Sequence, residues 1–153
     1  MHAGQLREFI VRPALELVGL HSQAAENLVM GTAAQESHLK YLKQLGKGPA
    51  LGIFQVEPFT YDDYWNNFVD DRDDLRESIL AAIRTTGEPQ ADRVIWDLRY
   101  AAIMCRIHYR RIKKPLPEAT DVWGMARYWK RYYNTAAGRG TEQEFVDNYR
   151  RVQ

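Results

Sequence analysis

Apolar residues recur at intervals of three and four along most of the chain, a period that predicts helices. Leu6, Phe9, Ile10, Ala14, Leu17 and Val18 mark one face of a first helix, with Pro13 setting its start or a kink. Ser22 is placed to cap a second, whose stripe runs through Ala25, Leu28, Val29, Thr32 and Ala33 and next meets Glu36. The period lapses from Gly46 to Pro58, where GKGPALGIFQVEP is dense in glycine and proline and reads as a loop or short hairpin. Helix resumes over about residues 61–84. A break at Thr86–Pro89 precedes the clearest amphipathic run, Val94, Ile95, Leu98, Ala101, Ala102, Cys105, Tyr109 and Ile112, which predicts one long central helix. The prolines of Lys113–Glu118 end it. Another helix is expected from Thr120 to Tyr133. The last begins at Thr141, where Glu144 completes a capping box ahead of Phe145, Val146 and Tyr149. No repeat or linker is visible, so residues 1–153 read as one mainly α domain with a small glycine-rich loop or hairpin region.

Composition narrows the function classes. With 45% hydrophobic and 27% charged residues the chain can bury a core, and its formal charge of +1 provides no domain-wide field for nucleic acid or an anionic membrane. A basic stretch, Arg106, Arg110, Arg111, Lys113 and Lys114, has helical spacing and reads first as a solvated face, with contact to a polyanion as the sharper alternative. The longest apolar runs, such as Tyr100–Cys105, are too short to span a bilayer, so no membrane insertion is expected. Arg7, Glu8, Arg12 and Glu16 interrupt any secretory h-region, and no signal peptide is expected. Cys105 is the single cysteine, which excludes an internal disulfide and a CxxC site. The four histidines are scattered with no HExxH, and neither GxGxxG nor GxSxG occurs; no metal or cofactor is expected.

Chemistry concentrates at Glu36. By period it faces the core, near the end of its helix; burial and the negative helix terminus both disfavour its charged form and raise its pKa. A carboxyl held protonated in this way can donate to a leaving oxygen. The blander alternatives are that the helix turns Glu36 to solvent or that it caps a neighbouring backbone. Gly52 permits close backbone approach and Gln55 can donate and accept, which suits either a polar ligand or a loop satisfying itself. Aromatics gather at Tyr61, Tyr64 and Trp65 and again at Trp123, Tyr128, Trp129, Tyr132 and Tyr133, as a sugar-binding groove requires. Trp129 and Tyr133 also fit a core stripe with Val122, Met125 and Ala126, and Asn134 ends that stripe, either as a cap or reaching into a cleft.

Taken in order, Glu36-Ser37, then Gly52-Ile53-Phe54-Gln55-Val56-Glu57-Pro58 with Thr60, then Tyr133-Asn134 ahead of Gly138, resemble the soluble lytic transglycosylase and goose-type lysozyme superfamily. Its members carry a Glu-Ser pair at a helix end, a Gly-Leu-Met-Gln run followed by Pro-x-Thr, and a Tyr-Asn-Ala-Gly element. The resemblance implies a lysozyme-like helical fold and cleavage of peptidoglycan glycan strands between N-acetylmuramic acid and N-acetylglucosamine. It implies Glu36 as the acid and base and Ser37 as a positioning group. The Gly52–Phe54 backbone and Gln55 would line the cleft, and Tyr133 and Asn134 would orient acid and sugar. One carboxyl then suffices, because the substrate's own groups close an anhydro-muramic ring.

Two departures stand out: Phe54 replaces the usual methionine, and Tyr-Asn-Thr-Ala-Ala-Gly replaces Tyr-Asn-Ala-Gly. Glu57 stands where transglycosylases carry an apolar residue and goose-type lysozymes an acid. Inverting hydrolysis needs a second carboxylate about 6.5–9.5 Å from the first, a role open to Glu57, as is simple exposure before Pro58. The small size, lone cysteine and lack of a signal are similar to phage-encoded members, either endolysins released by a holin or virion-carried wall enzymes. A monomer acting at the bacterial cell wall, without nucleic-acid partners, is the expectation. A non-catalytic wall-binding or virion structural module is the alternative outside enzymology.

Overall fold

The computed structural model describes residues 1–134 and 138–153. Among them are eight helices and no strand. These are α1 (residues 3–17), α2 (Gln23–Ser37), α3 (residues 58–69), α4 (Asp73–Ala82), α5 (Arg93–Trp96), α6 (Leu98–Arg110), α7 (residues 122–134) and α8 (Glu142–Arg150). None is long and apolar enough to cross a membrane.

The second helix organises the others. Ser22 caps it by accepting from the Ala25 amide at 3.0 Å, and every residue from Ala25 to Ala34 is buried. The expected stripe therefore widens to the whole circumference, as it must when α1, α6, α7 and α8 all pack on one helix. Small residues make this possible. A Cβ on Gly31 would lie 2.4 Å from Phe145 Cζ, so the ring of α8 reaches the α2 backbone only because position 31 has no side chain. Glu26 lies inside this packing, fully buried, and takes hydrogen bonds from Arg7 (2.9 Å), Arg12 (2.9 and 3.1 Å) and His21 (2.9 Å). Burial alone would raise its pKa, yet the hydrogen bonds from Arg12, Arg7 and His21 outweigh it and hold the carboxyl at about 2.

Three helices differ from the period. In α1, Phe9 and Leu17 are exposed, and the buried face is Leu6, Val11, Ala14, Leu15 and Val18. The cause is a π turn at Arg7–Val11, closed by the Arg12 amide on the Arg7 carbonyl, just ahead of Pro13, which has no amide to continue the ladder. The inserted residue rotates the face. The expected helix over residues 61–84 starts at Pro58 and is broken at residues 70–72, where Arg72 leaves helical geometry, stacks on Phe68 at 3.8 Å and donates to its carbonyl at 2.7 Å. The expected single helix through Val94 and Ile112 is cut at Asp97, whose carboxylate accepts from the Tyr100 amide at 3.0 Å and starts α6 afresh. The capping box of α8 is present in both directions, at 2.7 and 3.2 Å.

Between α2 and α3 the glycine-rich segment is irregular, with isolated antiparallel bridges Lys43↔Leu51 and Leu51↔Val56. Gly52 has φ +73°, and a Cβ there would lie 2.4 Å from the Val94 carbonyl oxygen, so both its turn and its packing require glycine. Gly31→Ala should destabilise the chain by about 1–3 kcal/mol through overpacking on Phe145. Urea melts of the two proteins check this.

Candidate active site

Glu36 stands in the last turn of α2, which stops because His38 and Leu39 both adopt left-handed backbone, at φ 52° and 57°. Neither is glycine, so the turn is strained, and the strain sits beside the acid. The Leu39 side chain is buried and its carbonyl accepts from the N-terminal ammonium at 2.9 Å, which fixes the turn. The chain then runs along the rim of a cleft of about 630 Å³, into which Glu36 faces from one helix end.

Among the described residues the carboxyl has one hydrogen bond, from the Trp129 indole Nε1 to Oε1 at 2.8 Å. Burial raises its pKa to about 7, and the indole bond, which favours the anion, only moderates the rise. No cation among the described residues bonds to it, unlike Glu26. Trp129 is fully buried and held from two sides. Phe145 stacks on it at 5.5 Å, and Gly140 makes room for it, since a Cβ there would lie 2.6 Å from Cη2.

Glu36, Gln55, Glu57, Tyr133 and Asn134, all anticipated, line the same cleft. Gln55 is the tip of the tight turn, at φ 52°, and its Nε2 donates to the Gly52 carbonyl at 2.8 Å, leaving its side-chain oxygen free of protein donors among the described residues. Tyr133 donates to the Phe54 carbonyl at 2.7 Å, tying α7 to the loop across the cleft floor. Asn134 accepts from Lys130 Nζ at 2.7 Å, and the same ammonium donates to the Gly138 carbonyl at 2.8 Å. Residues 135–137 of the Tyr-Asn-Thr-Ala-Ala-Gly element lie outside the described residues. Glu57 is exposed on the cleft wall at the start of α3.

Ser37 and Phe54 are placed otherwise than expected. Ser37 is fully buried and its hydroxyl donates back to the Ala33 carbonyl at 3.0 Å, one turn below, so it serves the helix and not the cleft. The Phe54 ring is in the core, and Gly52 packs on Val94; only the Phe54 carbonyl bears on the site, through Tyr133. Tyr61 and Trp65 are likewise core, joined at the Tyr100 hydroxyl by bonds of 2.6 and 2.9 Å.

Further residues complete the wall, of which the grouping of aromatics in the sequence marks only Tyr64. Tyr41, Gln44 and Leu45 come from the segment after the strained turn. Tyr64 and His108 come from buried helix faces, where Tyr64 donates to His108 Nδ1 at 2.7 Å and His108 Nε2 donates to the Tyr132 carbonyl at 2.5 Å. Because a carbonyl only accepts, the Nε2–H tautomer is set, and burial keeps the ring neutral by lowering its pKa to about 4. Its ring lies 4.4 Å from that of Tyr133, which it supports. Among the described residues no three His, Cys, Asp or Glu side chains are grouped as metal ligands would be. No protein-family model, curated protein or solved structure matches the chain.

An acid with a raised pKa lowers stability once the unfolded chain ionises. The loss begins above the ordinary glutamate value of 4.5 and is complete above about 7, where the folded state ionises too. Glu36→Gln should therefore match the parent near pH 4 and be more stable above pH 7, by up to about 3 kcal/mol. Denaturant melts across that pH window check the sign and the plateau.

Proposed function

We propose that the chain is a lysozyme-like glycosidase that cleaves peptidoglycan as a lytic transglycosylase, with Glu36 as its general acid and base. The observation that carries this reading is a carboxyl with a pKa near 7, in a polar cleft, whose one hydrogen bond among the described residues comes from an indole and not from a cation. At neutral pH such a group is protonated in a large fraction of molecules and, once it has given its proton, takes one back readily.

The reaction follows from that property. A glycan strand lies along the cleft with the oxygen between N-acetylmuramic acid and N-acetylglucosamine at Glu36. The carboxyl donates its proton to that oxygen as the bond from muramic acid C1 breaks, and the N-acetylglucosamine hydroxyl leaves. Glu36, now a carboxylate, takes the proton from the muramic acid C6 hydroxyl as its oxygen closes on C1. The product is a 1,6-anhydro ring and the acid is regenerated. Water is not consumed and no second acid is needed. The Gln55 side-chain oxygen and Asn134 offer polar contacts to the sugars' amide and hydroxyl groups, while Tyr133, tied to Phe54, fixes the distance between loop and helix. The place of action on this reading is the bacterial cell wall, the enzyme being a phage endolysin or a virion-associated wall enzyme.

The exposed Glu57 on the same wall supports a second reading, in which it activates water for hydrolysis. Mass spectrometry of digested wall separates the two: anhydro ends mark transglycosylation, reducing ends hydrolysis. Glu36→Gln should lower wall-clearing activity by about 10²–10⁴-fold with the fold retained. Parent activity should fall as pH rises through about 7, where the acid loses its proton. Trp129→Phe removes the indole donor to the carboxylate and should move that alkaline limb to higher pH, whereas a merely structural defect would lower the rate and leave the limb in place. Equal clearing by parent and Glu36→Gln would remove the catalytic reading.

A further inference from the structure

The end of α6 and the turn after it bring four cations around one hollow. Arg106 and Arg110 come from the helix and Lys113 and Lys114 from the turn, and with Ile112 and Tyr128 they line a pocket of about 210 Å³. No carboxylate lines it among the described residues. Arg110, Lys113 and Lys114 are exposed, and cations near a helix C-terminus are ordinary in themselves.

Arg106 is not ordinary, because only 9% of it reaches solvent. Its Nε donates to the Leu20 carbonyl at 3.0 Å, and among the described residues its two terminal nitrogens have neither a hydrogen-bond acceptor nor a carboxylate. Arg7 and Arg12 with Glu26, Arg93 with Asp97 and Arg111 with Asp63 are paired, whereas Arg99, half-buried, bonds to the Ala82 carbonyl as Arg106 does to that of Leu20, but lines no hollow with other cations. A guanidinium keeps its charge in folded proteins, so Arg106 places a nearly buried cation beside three of like sign with no counter-charge among the described residues. An entering anion would reverse that cost and would meet a planar fork whose Nε is already committed and whose outer nitrogens are free.

We infer that this pocket binds a phosphate-class oxyanion, either free phosphate or a phosphate group carried on a larger molecule. Arg106 takes two oxygens at the floor, and Arg110, Lys113 and Lys114 neutralise the charge at the rim. Four cations around one small hollow suit a dianion better than a single carboxylate. No residue lines both this pocket and the Glu36 cleft, so the inference stands independently of the glycosidase reading.

The test is calorimetric titration of the full chain at about pH 8, where phosphate is largely dianionic, with ionic strength held constant by chloride. The probes are inorganic phosphate, poly(glycerol phosphate) and acetate. Saturable binding of a phosphate probe is expected. It should weaken roughly tenfold or more when the exposed rim is changed together (Arg110→Gln, Lys113→Gln, Lys114→Gln) and in Arg106→Lys, which keeps the charge but loses the fork. Tighter binding of the polymer, per phosphate, assigns the group to a larger molecule; tighter binding of inorganic phosphate assigns it to the free ion. Absence of saturable binding by both phosphate probes, equal binding of acetate, or unchanged binding by the rim variant would overturn the inference.

Discussion

A helix packed on all sides takes the carboxylates it carries out of bulk water, and α2 carries two, Glu26 fully buried and Glu36 half-buried where the helix opens on the cleft. They end in opposite states for a reason that can be read atom by atom. Glu26, in the first turn, has the helix N-terminus at its back and Arg7, Arg12 and His21 around it, and is held ionised at about 2. Glu36, ten residues on and in the last turn, is pushed by burial to about 7, and among the described residues only an indole N–H opposes the rise. Burial raises both. The partners decide, and they come from α1 and the segment after it at one end and from α7 at the other.

The environment of Glu36 is built by packing contacts that run back into the core. Gly31 lets Phe145 against α2, Phe145 stacks on Trp129, Gly140 leaves room for the indole, and the indole then has one direction in which to donate. The facing wall is fixed in a similar way. Tyr64, His108 and the Tyr132 carbonyl form a hydrogen-bonded line, His108 supports the Tyr133 ring, and Tyr133 bonds to the loop at Phe54. Cleft geometry is thus a consequence of core geometry. Substitutions two contacts away from the acid, at Gly31 or Gly140, act on the site through the ring positions they disturb.

Much of this was legible in the chain because hydrophobic period reports burial. The helices at Gln23–Ser37 and Glu142–Arg150 fall where the period and caps place them, and Glu36 stands out in the sequence because a carboxylate continues the stripe of Ala25, Val29, Thr32 and Ala33. What escaped was decided by interactions that period does not encode. A π turn before Pro13 rotates the face of α1, and the Asp97 side chain outcompetes continuation of the helix. Glu26 stands off the stripe, and its burial is compensated by two arginines and a histidine from outside α2 that converge on it. Ser37 was assigned to the cleft by resemblance, yet a serine late in a buried helix has a carbonyl one turn back within reach and bonds to it. The motif around Gln55 is right in place but divided in use: the glutamine faces the cleft, while Phe54 and Gly52 are packing residues.

Keeping Glu36 neutral and keeping the protein folded pull in opposite directions at neutral pH. A cation beside the acid would relieve the cost of burial, as Arg12 and Arg7 do for Glu26, but it would also hold the proton off at neutral pH and leave nothing to donate. An indole is a compromise between the two. It supplies one directional N–H, enough to hold the carboxyl in place, and no net charge, so it lowers the pKa without returning it to the ordinary range. The core around α2 supports the residual cost. Its all-round burial from Ala25 to Ala34 provides the apolar contacts from which a few kcal/mol can be given up at one position.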